Sequence, residues 1–271
     1  MQKVHLISGL PRSGSTLLAA LLRQNPRFGA AVTSPVASMM MALLPRMSGT
    51  AEFAPFFTDE SRYRILRNLF AAYYDTHTPP EVIFDTNRLW TAYLPLADKL
   101  FPEARVICCV REVSWVLDSF ERLIRKNPAH VPVTFNGRTD RNVYSRVETL
   151  MNTESGLVGL AWSSLREAWF GEHAGKLIVI RYESLAREPE QIIRNLYRHL
   201  GEAPYTHRFD DIAYDEMDYD RRLGMPGLHR VKQRVEFAER TTVLPPDLFH
   251  KYADLNFWLN DKLNLKRVTV L

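Results

Sequence analysis

The chain has 271 residues, 46% of them hydrophobic, and a formal charge of +4 at neutral pH. That length can bury a full α/β core, and because no linker-like cluster or internal repeat interrupts it, a single domain over residues 1–271 is expected. The mild, dispersed basicity suits small anionic ligands and does not point to nucleic acid, and no apolar stretch approaches the roughly 20 residues that stable membrane insertion needs.

In chain order, residues 4–9 (VHLISG) read as a buried parallel strand ending in glycine, and 15–25 (STLLAALLRQN) as a helix closed by Pro26. The Met- and Ala-rich stretch 34–46 is predicted helical, its methionines serving as packing. Helical periodicity returns over 59–75, with Ile65, Leu66, Leu69 and Phe70 on one side. Then come a strand at 81–85, a helix at 89–100, a strand at 104–110 and a helix at 112–126. Residues 127–152 form a long polar excursion, of the kind that is functional or disordered. A helix over 153–170, a strand over 176–182 and a helix over 189–200 follow; 202–247 is aperiodic, and 247–263 reads as a terminal amphipathic helix.

Alternating strands and helices imply an α/β fold, a central parallel sheet flanked by helices in three layers. Cys108 and Cys109 are neighbours on one strand and point to opposite faces, so they form no disulfide, and no spacing suggests a metal site. With a strand beginning within four residues of the N-terminus, no signal peptide is expected and a cytoplasmic location is.

Ligands of such sheets collect at the carboxyl ends of the strands, which directs attention to 9–16, 85–88, 111–119 and 182–185. Residues 7–18 (ISGLPRSGSTLL) have the glycine spacing of a phosphate-binding P-loop, yet Ser15 stands where a Walker A loop carries lysine, and the loop's cation is Arg12. Such a turn, from Pro11 and Arg12 through Ser13, Gly14, Ser15 and Thr16, leads into a helix N-terminus, and the backbone N–H groups after Pro11 make an anion cradle. Without the lysine, a less charged anion than a nucleoside triphosphate is implied. Arg111 ends a buried strand and Ser119 lies about two helical turns further on, so both donors can share one phosphate.

Together these segments resemble the sulfotransferases that use 3′-phosphoadenosine-5′-phosphosulfate (PAPS), a family with a P-loop NTPase-like fold. GLPRSGSTLL is similar to their 5′-phosphosulfate loop, in the form typical of tyrosylprotein and many bacterial members, whereas cytosolic members carry lysine at the position of Arg12. LFPEARVICCVREVSWVLDSF is similar to their 3′-phosphate motif, with Arg111 and Ser119 in place. VIRYESLAREPEQIIRNLYRHLG is similar to their third conserved segment, which implies Tyr182 near the adenine. The basic, glycine-containing stretch 221–235 loosely matches the family's nucleotide-covering loop, which offers Arg222, His229 and Lys232; a solvated basic loop is the alternative.

The resemblance implies sulfuryl transfer from PAPS to a hydroxyl acceptor with no metal, Arg12 stabilising developing charge. It breaks at the proton acceptor. The carboxylate of tyrosylprotein members is missing from 30–37 (AAVTSPVA), and 84–90 (FDTNRLW) stands where other members place histidine or lysine. Asp85, with Arg88 beside it, is the best-placed carboxylate for a base; an N-cap for the next helix is its other role. Phe135, Arg138, Arg141 and Tyr144 are candidates to shape an acceptor pocket. A P-loop kinase or NTPase, and a non-catalytic nucleotide-binding protein of the same fold, are the alternative readings.

Overall fold

The computed structural model describes residues 2–132, 135, 142–212, 214 and 216–271. Its sheet is built from β1 (Lys3–Gly9), β2 (Phe28–Ala30), β3 (Val82–Thr86), β4 (Val106–Val110), β5 (Leu177–Arg181) and β6 (Thr269–Val270). All neighbours pair in parallel, in the order β2-β3-β1-β4-β5-β6. The register sets Leu6 against Asp85 and Val106, and Gly9 against Cys109.

The central strands are apolar throughout because both faces are covered. Leu6, Cys108 and Val179 face one core, while Ile7, Cys109 and Ile180 face the other. The second core is closed by α1 (Ser15–Leu22), α9 (Tyr182–Arg187) and α10 (Pro189–Leu200). The first and larger is closed by α2 (Val36–Leu43), α3 (Asp59–Tyr74), α4 (Leu89–Ala92), α5 (Leu94–Leu100), α6 (Val113–Lys126), α7 (Val143–Met151), α8 (Gly159–Phe170) and α12 (Pro246–Lys251). A short helix, α11 (Met217–Arg222), precedes a turn at 223–228 that lies over the sheet's carboxyl end. The result is the expected three-layer, P-loop NTPase-like arrangement. Among the described residues no helix is long and apolar enough to cross a membrane.

Several expected elements differ in detail. The helix read over 89–100 is two helices, because Pro95 has no N–H to give to the carbonyl of Thr91 and the chain breaks at Tyr93. The amphipathic helix expected over 247–263 stops at Lys251. Beyond it Asn256, Asn260 and Asn264 accept from the backbone N–H groups of Val113, Lys262 and Val268, and these bonds compete with a helical ladder. The end of the 127–152 excursion is ordered as α7, which Arg146 docks on α6 through both oxygens of the buried Glu121 carboxylate. Phe135 packs in the larger core and the exposed Tyr144 reaches Asp247, and neither lines the cavity at the carboxyl ends of the strands. Arg138 and Arg141 lie outside the described residues.

Candidate active site

The loop between β1 and α1 is shaped by backbone that few residues tolerate. Gly9 has φ of 100°, and a Cβ there would stand 2.2 Å from the Cys109 carbonyl oxygen, so only glycine lets β1 turn this closely against β4. Gly14 has φ of 95° and faces the Tyr182 ring, which a Cβ would approach to 3.1 Å. Arg12 is held at φ of 59°, a left-handed conformation that costs a side-chain-bearing residue about 1–2 kcal/mol. Ser13 fixes the turn: its hydroxyl donates to the carbonyls of Leu10 and Cys109.

These constraints aim the loop at a cavity of about 510 Å³ over the carboxyl ends of the strands, lined among others by Arg12, Gly14, Ser15, Thr16, Arg111, Ser119, Tyr182, His229 and Lys232. Those nine sequence-predicted residues converge there. Three do not. Pro11 and Ser13 are buried behind the loop, with the Ser13 hydroxyl already engaged. Arg222 is exposed at the end of α11, off the cavity wall.

Asp85 is also displaced from its expected role. It is fully buried within β3 and does not line the cavity. Its carboxylate accepts from Tyr74 Oη (2.6 Å), Trp90 Nε1 (2.6 Å) and the Ser34 hydroxyl. Burial pushes its pKa up, against the pull of these three bonds. A carboxylate so enclosed cannot reach an acceptor hydroxyl. Asp85 ties α3, α4 and the start of α2 to the sheet.

The cavity floor is electropositive by construction. Arg12 Nε donates to Ser119 Oγ at 3.0 Å, and another of its nitrogens donates to the Leu228 carbonyl. Burial, with the neighbouring Arg111, holds the Arg12 guanidinium down to about 10. Arg111 lies over the Tyr182 ring, 4.4 Å from its centroid, and its Nε is buried with no hydrogen-bond partner. The nearest carboxylate oxygen, from Glu183, is 3.9 Å away. Burial lowers the Arg111 pKa too. Arg240 joins from the far wall, paired to Asp118 at 2.8 Å, its pKa lowered by burial and by Arg111. Arg111 and Arg240 disfavour the charge on Arg12, Arg111 disfavours that on Arg240, and Arg111 keeps an orphaned buried N–H, so an anion would relieve the site.

The reading of the sequence missed Arg240, Arg230, Arg234 and Tyr219, all of which line the cavity. Arg230 and Arg234 lie within the basic stretch 221–235, where the sequence does not tell which cations face inward, while Tyr219 and Arg240 fall in aperiodic chain outside it.

A sulfotransferase family model matches residues 6–207. No curated protein is significantly similar to the chain in sequence. Among solved structures, the sulfotransferase domain from the curacin biosynthetic pathway shares 16% identity, with a TM-score of 0.53 over 94% of this chain and 92% of that one. A sulfotransferase from Alicyclobacillus acidocaldarius also shares 16%, with a TM-score of 0.51 over 82% and 90%.

Proposed function

The chain belongs to the sulfotransferase family, and from that premise we propose that it transfers the sulfuryl group of PAPS to a hydroxyl acceptor, releasing adenosine 3′,5′-bisphosphate. One observation carries the choice of donor. Arg111, with its unpartnered Nε, and Ser119, which Arg12 joins through a hydrogen bond, line the same cavity as the loop cradle, which in this reading gives one site two adjoining places for an anion. PAPS, with a 5′-phosphosulfate and a 3′-phosphate, has an anion for each.

In this reading the backbone N–H groups of Gly14, Ser15 and Thr16 hold the 5′-phosphate at the N-terminus of α1, and the Thr16 hydroxyl adds a donor. Arg111 and Ser119 hold the 3′-phosphate, and the Tyr182 ring packs beside the adenine. Lys232, whose partner Glu236 is on the exposed rim, closes over the nucleotide. Bound donor supplies a sulfuryl group on a phosphate leaving group. Arg12 then does the main electrostatic work, meeting the charge that builds on the bridging and sulfuryl oxygens. A phosphosulfate carries less charge than a triphosphate tail, which fits a loop with Ser15 in place of the Walker lysine.

Calorimetric titration separates this reading from a kinase or NTPase. Adenosine 3′,5′-bisphosphate is expected to bind without added metal, and far more tightly than Mg-ATP. Preference for Mg-ATP would overturn the assignment of the donor.

A further inference from the structure

With Asp85 sealed away, the proton of the acceptor needs another destination. The residue that follows the turn at 223–228 supplies one. Asp220, on α11 and fully buried, accepts from the backbone N–H of His229 at 2.8 Å and from its ring Nδ1 at 2.5 Å. The two bonds fix both the ring's position and its tautomer: Nδ1 carries the proton, and Nε2, on a residue that lines the cavity, is the lone pair left over. The geometry of the turn is equally constrained. Gly224 and Gly227 have φ of 67° and 82°, and a Cβ on Gly224 would meet the Val131 carbonyl oxygen at 2.6 Å. The Leu228 carbonyl accepts from Arg12, so His229 is tied directly beside the residue that faces the transferring group.

We infer that His229 is the general base of the reaction and that Asp220 is its positioning residue, an inference that rests on the sulfotransferase reading above. His229 Nε2 takes the acceptor's hydroxyl proton as the acceptor oxygen bonds to sulfur. The bond from sulfur to the bridging oxygen breaks, and its electron pair leaves on the 5′-phosphate of adenosine 3′,5′-bisphosphate. The imidazolium, steadied by Asp220, returns its proton to solvent before the next turnover. The groups facing the ring are Asp220 and Tyr219 from α11, Arg12 from the loop after β1 and Arg88 from the segment after β3. Burial, helped by the two arginines, lowers the His229 pKa against the pull of Asp220, so the ring is neutral and competent at neutral pH.

The test uses the full chain, labelled PAPS, and ethanol at high concentration as the acceptor, so that the natural acceptor need not be known. His229→Asn and, as a second variant, His229→Gln are expected to bind adenosine 3′,5′-bisphosphate within about threefold of wild type while transfer falls by roughly 10²–10⁴. Asp220→Asn should lose less and move the midpoint of the pH–rate profile. Nitrogen-15 histidine spectra of the bisphosphate complex should show His229 neutral at pH 7 with its proton on Nδ1, and that proton shifting toward Nε2 in Asp220→Asn. Transfer by His229→Asn equal to wild type, affinity lost in step with rate, or a proton on Nε2 in the wild type would each overturn the assignment. A wild type that fails to bind the bisphosphate removes the donor reading and this inference together; binding with equal transfer rates removes the base alone.

Discussion

Half-buried Arg12 and fully buried Asp85 are ionisable groups at strand ends, and their surroundings give them opposite uses. Arg12 is crowded by Arg111 and Arg240, so it gains from an anion. Arg12→Ala is expected to lower transfer from PAPS about a hundredfold, the cost of roughly 3 kcal/mol of lost charge stabilisation, with a smaller loss of bisphosphate affinity. An unchanged kcat with a raised donor KM would reduce Arg12 to a binding group. Asp85 instead has every near neighbour donating to it. Asp85→Asn turns one acceptor oxygen into a donor facing donors, and is expected to cost about 1–3 kcal/mol of stability. Because the folded pKa of Asp85 is raised, its proton stabilises the fold below the unfolded value, and that contribution fades as pH rises through the folded value. The melting temperature deficit of Asp85→Asn should therefore be larger at acid than at neutral pH. A rate loss at unchanged stability would return Asp85 to the chemistry.

At the scale of elements, legibility followed burial. β1, β3, β4 and β5 announce themselves as apolar runs because helices cover both their faces. The edge strands β2 and β6, with three and two residues, are too short for any pattern to register. α9 starts on the residue after β5 with no side-chain cap, so nothing in the sequence separates it from the strand. The loop between β1 and α1 was legible because its glycines are forced by geometry. Gly9→Ala should cost more than about 3 kcal/mol, since the new Cβ meets backbone of β4 and not a movable side chain. Gly175→Ala, at a site with open space and no positive φ, is the control and should be neutral or slightly stabilising. Equal denaturation midpoints for the two variants would show that β1 is not pinned to β4 as described.

At the scale of the molecule, the site is assembled from chain that is local in sequence and chain that is not. Arg12, Arg111, Ser119 and Tyr182 follow strand ends, where the parallel topology collects them, and so could be named in advance. Asp220 and His229 are nine residues apart across two left-handed glycine turns, and Tyr74, Ser34 and Trp90 reach Asp85 from three separate elements. Such pairings exist only once the layers pack, and no spacing encodes them.

Recognition of a 3′-phosphate by Arg111 and Ser119 is open to measurement by calorimetry, comparing adenosine 3′,5′-bisphosphate with 5′-AMP on wild type and Arg111→Ala. The two nucleotides differ by that one group, and each charge-assisted hydrogen bond to it is worth roughly 1.5–3 kcal/mol. Wild type should prefer the bisphosphate by orders of magnitude, and Arg111→Ala should lose most of that preference while 5′-AMP affinity barely changes. Equal weakening of both nucleotides in Arg111→Ala, or no preference in the wild type, would contradict the account.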